Sequence, residues 1–207
     1  MKKGIIAILK SFVYIMIFGI CQIICVSIIP ENILLNTAVS DVMFVIVVIA
    51  IIKIFNRNIK KRLKINAIHL KDIILIIVVS LILNVVFQSV QFLFSETMRS
   101  ELMLEVNNSF YELKNALSFI AIVIVAPLAE EILFRGLILG TLEKVFNVHI
   151  AIVLQAIFFG IIHGNIIWAI IAFLSAVYYG YLVRKYDSIF TSIIGHVSVN
   201  LLSFILM

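Results

Sequence analysis

Charge and turn-forming residues are what this chain has least of. Only 13% of its 207 residues are Asp, Glu, Lys or Arg, and it carries two prolines, two cysteines and eight glycines. Two cysteines cannot build a disulfide framework. Cys21 and Cys25 stand four apart rather than as Cys-x-x-Cys, with no neighbouring ligand cluster, so zinc-ribbon and thiol redox chemistry are set aside. They read as small apolar packing residues. No heptad, repeat period or low-complexity tract is visible. Acidic residues number 11 against 16 basic ones. The resulting net charge of +5 is no nucleic-acid signal, because seven of the 16 cations fall between Lys53 and Lys71, directly after an apolar run. That is the pattern of a topogenic cytoplasmic loop.

Apolar sequence fills the space these absences leave. The chain is 64% apolar, with a mean hydropathy of +1.23. Several runs approach or exceed the roughly 18 residues that a membrane helix needs. The runs are continuous rather than alternating, which excludes a transmembrane β-barrel. The fold class expected is all-α: a polytopic transmembrane helical bundle of about seven spans. These are placed at Phe12–Ile29, Val42–Phe55, Ile73–Phe94, a fourth from Ala116, Ile150–His163, Ile166–Val183 and Ile189–Met207. Residues 1–115 form amino-terminal membrane helices, with the basic loop and an amphipathic segment at 95–115. Residues 116–207 form the core, the last four spans. Glu31, Asn32, Asn36 and Asp41 read as a polar loop between the first two spans. Lys2-Lys3 precedes an apolar run without a cleavage site, so the first helix is expected to be retained. Loop charges place the amino terminus in the cytoplasm of a bacterial plasma membrane protein. The low Gly and Pro content with abundant Ile, Lys and Asn points to a low-GC bacterium.

Against this background, Ala126-Pro127-Leu128-Ala129-Glu130-Glu131-Ile132-Leu133-Phe134-Arg135-Gly136 is costly. Each ionisable group at mid-membrane costs roughly 2.5–3.5 kcal/mol. Pro127 is expected to kink the span or to separate a lead-in helix from it. Glu131 and Arg135, four apart, share a helix face and can pair. Glu130 points about 100° away. One arginine cannot neutralise two carboxylates, so Glu130 is left as the candidate proton acceptor. The plainer reading, both glutamates locking helices through Arg135, is disfavoured, because small and mildly polar residues pack membrane helices at less cost. His163 follows Phe159 by four residues, and Asn200 follows His196 by four. Each alone would be an ordinary helix–helix or interfacial group. Three helices contributing carboxylate, imidazole and amide supply what activating a water and stabilising an oxyanion require. His69 and His149 read as solvated or interfacial. Trp168, Tyr178, Tyr179, Tyr181 and Tyr186 read as interface anchors. Gly136 and Gly140 suit close helix packing. By span limits alone, His163 and His196 differ in depth by roughly 10 Å.

Glu130-Glu131-x-x-x-Arg135, Phe159-x-x-x-His163 and His196-x-x-x-Asn200, in this order on separate apolar segments, resemble the CPBP family. This is the CAAX protease and bacteriocin-processing (Abi) family, whose eukaryotic relatives are the type II CAAX prenyl endopeptidases. The resemblance covers residues 116–207. It implies an intramembrane endopeptidase in which Glu130 activates water and His163 orients it or handles its proton. His196 and Asn200 would form an oxyanion hole, while Glu131, Arg135 and Phe159 support the site. No cofactor is expected. Two histidines and a carboxylate would permit zinc, but no His-Glu-x-x-His is present and a metal-free mechanism is favoured. The expected partners are the bilayer and a peptide or membrane-protein substrate, met in peptide maturation or bacteriocin self-immunity. The alternative is a non-catalytic membrane binding or immunity protein using the same polar cavity. A transporter would call for repeats that are not apparent.

Overall fold

The computed structural model describes residues 2–29, 33–55, 58–98, 100 and 116–206, and the side chains of all of these except residues 33 and 34. The expected amphipathic piece built on Met103, Leu104, Phe110 and Leu113 lies outside the described residues. Every regular element described is helical: α1 (Lys2–Ile28), α2 (Ile33–Ile54), the short α3 (Ile59–Arg62), α4 (Leu70–Gln88), α5 (Ala116–Leu142), α6 (Val148–Ile161), α7 (Ile166–Tyr186) and α8 (Phe190–Leu206). Five of the seven main helices are long and apolar enough to cross a membrane, while α6 and α8 are shorter. Ile6, Ile20 and Ile23 of α1 and Ile82 and Val85 of α4 are exposed. Such faces suit lipid, where an apolar surface carries no penalty. The chain is an integral membrane helical bundle.

Two boundaries differ from those expected. Helix α1 begins ten residues early, carrying Lys3 and Lys10 on its first turns. Helix α2 also begins early, so Asn36 and Asp41 are not loop residues. Both are buried within the helix, and the Gln22 amide of α1 donates to Asp41 Oδ1 at 3.1 Å. A polar stripe facing another helix needs no loop to satisfy it.

Helix α5 is the centre of the bundle, and its residues from Ile132 to Leu142 are all buried. Pro127 does not divide it. The rod runs through two π-helical stretches, Ile120–Val125 and Ile132–Leu139, on either side of the turn Ala126–Glu131. Wide turns of this kind mark functional sites in many helices. They absorb the N–H that Pro127 lacks. Gly136 and Gly140 give α5 a flat face for the basic segment. A Cβ at Gly136 would lie 2.7 Å from Leu63 Cδ2, and one at Gly140 3.1 Å from Arg62 Nη1. Arg62 donates to the carbonyls of Leu137 and Gly140 and to Thr141 Oγ1. A cation thus meets the negative end of the helix, where carbonyls lack intrahelical donors.

That end of the bundle is stapled by polar contacts. Glu143, just past α5, pairs with Arg184 at 2.7 Å and Lys64 at 3.8 Å. Lys64 also binds Asp187 at 2.8 Å, and both residues have left-handed backbones, φ 52° and 48°. Asn66 Nδ2 donates to the Asp187 carbonyl, and the Ser188 hydroxyl to the Asn66 carbonyl. These contacts fix the turn from which α8 rises. Higher up, α8 is set by Gly195, whose added Cβ would lie 2.6 Å from Ser80 Oγ of α4. Helices α6 and α7 close through Gly160, where a Cβ would lie 2.7 Å from the Ala169 carbonyl oxygen. Gln155 Nε2 donates across the same pair to the Ala176 carbonyl at 2.9 Å. Gln155 therefore bonds helix to helix.

Candidate active site

The i, i+4 spacing on α5 forms the expected ion pair. Arg135 Nη1 lies 2.9 Å from Glu131 Oε1, and neither side chain has any exposure. The guanidinium is also held by two rings, its Cζ 4.6 Å from the Phe159 centroid and 5.4 Å from that of Tyr179. Such contacts are worth about 2 kcal/mol when desolvated. Arg135 is therefore a buried structural cation, tied to α6 and α7 as well as to its own helix.

Glu131 reaches one step further. Its Oε1 lies 2.9 Å from His196 Nδ1. An ionised carboxylate only accepts, so Nδ1 carries the hydrogen and donates. This fixes the ring and turns Nε2 toward Glu130, whose Oε2 is 3.8 Å away. That separation is too long for a hydrogen bond. The result is a chain of groups, Arg135–Glu131–His196–Glu130, that passes from a buried cation to a carboxylate with 23% side-chain exposure. Glu130 is the member of the glutamate pair without an arginine partner, as the spacing anticipated. Tyr179 stacks on His196, with centroids 5.5 Å apart and planes 21° apart.

Among the described residues, His163 forms no ion pair with either glutamate. It lies two residues past the end of α6, in the turn that closes the helix, followed by Gly164 at φ +70°. Its Nδ1 donates to the Phe159 carbonyl at 2.7 Å, which again leaves Nε2 with the lone pair. The Phe159 ring lies 4.7 Å from His163 and 6.2 Å from His196. It contacts both imidazoles.

Asn200 is anchored by α5 itself. Its Nδ2 donates to the Ile122 carbonyl at 2.9 Å. In the π register of Ile120–Val125 that carbonyl would bond the N–H five residues on, and that residue is Pro127. Asn200 thus supplies the donor that proline removes, and its second amide hydrogen remains for another acceptor.

Three contributors escape a reading of the sequence. Tyr179, expected at the interface, is buried beside His196 and Arg135. Ala172, Ala176, Tyr179 and Val183 form one buried stripe of α7, and that periodicity was the available signal. Asp41 and its partner Gln22 come from the two helices without motifs. Asp41 is buried. The spacing of Asn36, Ser40 and Asp41 marks a polar stripe in hindsight. His69 and His149 are exposed, and the two cysteines are buried and free. Among the described residues, no three His, Cys, Asp or Glu side chains stand together as a metal-holding group.

Comparison with known proteins bears on this same segment. Residues 112–202 match the family described as Rce1-like, type II CAAX prenyl endopeptidase Rce1-like. The match takes in α5 to α8 and all three motifs, from Glu130 to Asn200. No curated protein and no solved structure matches the chain. Over residues 112–202 the chain is similar to the Rce1-like type II CAAX prenyl endopeptidases, at the level of the family CAAX-type intramembrane proteases.

Proposed function

We propose that the chain is an endopeptidase that hydrolyses a peptide bond of a membrane-associated peptide or protein, with Glu130 as the base. The observation that carries this reading is the unequal pairing of the two glutamates. Glu131 is spent on Arg135 and His196, while Glu130 has no hydrogen-bonded partner among the described residues and faces a lone pair on His196 Nε2. In the cycle, a water between Glu130 and the substrate gives its proton to the Glu130 carboxylate. Its oxygen bonds the scissile carbonyl carbon, and the carbonyl electrons move onto oxygen. The free hydrogen of Asn200 Nδ2 is the donor for that oxyanion. Collapse re-forms the carbonyl, breaks the C–N bond and passes the proton from Glu130 to the leaving amine. General-base catalysis of this kind contributes typically 10²–10⁴-fold, and one oxyanion donor about 10²–10³-fold.

His196 is the proton partner of Glu130 in this scheme, fixed in tautomer by Glu131. His163, held against the Phe159 ring, acts through its Nε2. The reading carries no metal. Its partners are the bilayer and a peptide or membrane-protein substrate, with no nucleic acid. The basic end of the bundle faces the cytoplasm of a bacterial cell, following the bias of Lys and Arg. In such a cell, processing of a signalling peptide or a bacteriocin precursor, or self-immunity, is the matching role. Glu130→Ala, His163→Ala and Asn200→Ala, each checked for membrane insertion, are the test. All three abolish cleavage if the reading holds, and full function in all three rules it out. Chelation that removes activity, restored only by added metal, overturns the metal-free step.

A further inference from the structure

Away from the glutamates, a cavity of about 550 Å³ opens between α1, α2 and the basic end of α5. Its size falls in the roughly 300–1,000 Å³ range of ligand sites. It runs along α1 from Lys3 to Ile17, which at 1.5 Å per residue is about 21 Å. Phe44, Val48 and Ile52 of α2 form part of an apolar wall. None of the groups that pair around Glu130 lines it.

The polar lining has one sign. Lys3, Lys10, Arg62 and Lys144 reach the cavity, and among the described residues no carboxylate does. Lys3 and Lys10 are seven residues apart, two turns on one face of α1. Lys10 stands about 12 Å deeper along the helix than Lys2, and neither Lys3 nor Lys10 has an ion pair among the described residues. A lysine carried into an apolar trough is costly without an anion or a route to the interface. Arg62 joins the trough to α5 through its bonds to the Leu137 and Gly140 carbonyls.

We propose that this trough binds an anionic phospholipid of the bilayer, acyl chain between α1 and α2 and phosphate among the cations. Charge complementarity selects the occupant. A second copy of the chain would bring the same cations to the site. A soluble acidic peptide would leave some 21 Å of apolar trough unused. Basic pockets between membrane helices on the cytoplasmic side bind anionic headgroups in this way.

The test uses the full chain purified and placed in nanodiscs of phosphatidylcholine with 20% phosphatidylglycerol, on the order of the anionic content of a charged leaflet. Protein released from these discs is weighed intact, and the lipid it retains is counted. The native chain is expected to keep one phosphatidylglycerol in preference to phosphatidylcholine. Lys3→Gln with Lys10→Gln should cut that retention about 25-fold, at about fivefold per lysine near the surface. Lys3→Arg with Lys10→Arg should keep it, and Val13→Trp, which fills the trough, should lose it with the lysines intact. Equal retention of phosphatidylcholine, unchanged retention in the double Gln variant, or displacement of the lipid by inorganic phosphate overturns the proposal. None of these readouts depends on peptide cleavage, so the result stands whether or not the proteolytic reading does.

Discussion

Replacing Glu131 by Gln strands a cation in the middle of the bundle. Arg135 has no exposure, and its single carboxylate partner lies 2.9 Å away. Removing one member of such a pair costs about 3–5 kcal/mol, because the other charge is left buried. The rings of Phe159 and Tyr179 at 4.6 and 5.4 Å offset part of this, about 2 kcal/mol at most. A destabilisation of roughly 2–4 kcal/mol is therefore expected for Glu131→Gln. Arg135→Met leaves a buried carboxylate whose remaining partner is His196, and it should cost the full 3–5 kcal/mol or so. The double variant Glu131→Gln with Arg135→Met removes both charges and should recover most of the loss, since apolar replacement of a buried pair is often neutral. Equilibrium unfolding in mixed micelles, followed by tryptophan fluorescence, measures all three. Cleavage activity separates structure from chemistry. The double variant should fold yet stay impaired, because the amide oxygen introduced by Glu131→Gln is a weaker acceptor for His196 Nδ1–H than the charged carboxylate. Losses below about 1 kcal/mol in both single variants would place the pair in a solvated site and refute the reasoning.

Other expectations follow from single positions. Gly195→Ala puts a Cβ within 2.6 Å of Ser80 Oγ and 2.9 Å of Tyr179 Cε1, so it should cost about 1–3 kcal/mol by overpacking and lower activity through His196, and Ser80→Ala should relieve part of it. Asn200→Ala should lower the cleavage rate constant about 10²–10³-fold through the lost oxyanion donor, and destabilise by about 1–3 kcal/mol through the orphaned Ile122 carbonyl. Gly164→Ala meets no atom within 4 Å but must hold φ +70°, which costs about 1–2 kcal/mol for an L side chain; melting of the purified protein and the cleavage rate should both fall, and unchanged values would show that His163 does not depend on this turn.

Much of this arrangement was legible in the sequence because membrane helices follow local rules. Hydropathy marked seven apolar segments, and the i, i+4 spacing of Glu131 and Arg135 was enough to pair them. The same argument left Glu130 over. What stayed hidden depends on which faces meet. Asp41 read as a loop residue because a carboxylate near a span end is ordinarily solvated, whereas Gln22 of α1 accommodates it inside the helix. Tyr179 read as an interface anchor because residue type speaks of depth and not of partners. The bond from Asn200 to Ile122 needs both the proline and the π register, and the register has no signal in composition. The contact of the Phe159 ring with both His163 and His196 depends on the packing of α6, which span limits place only along one axis.

The central claim is that Glu130 activates a water for peptide hydrolysis. Comparative peptidomics of membranes carrying the native chain or Glu130→Ala at equal abundance tests it most directly. The account predicts a set of fragments present with the native chain and missing with Glu130→Ala. The same fragments at the same levels in both would contradict it.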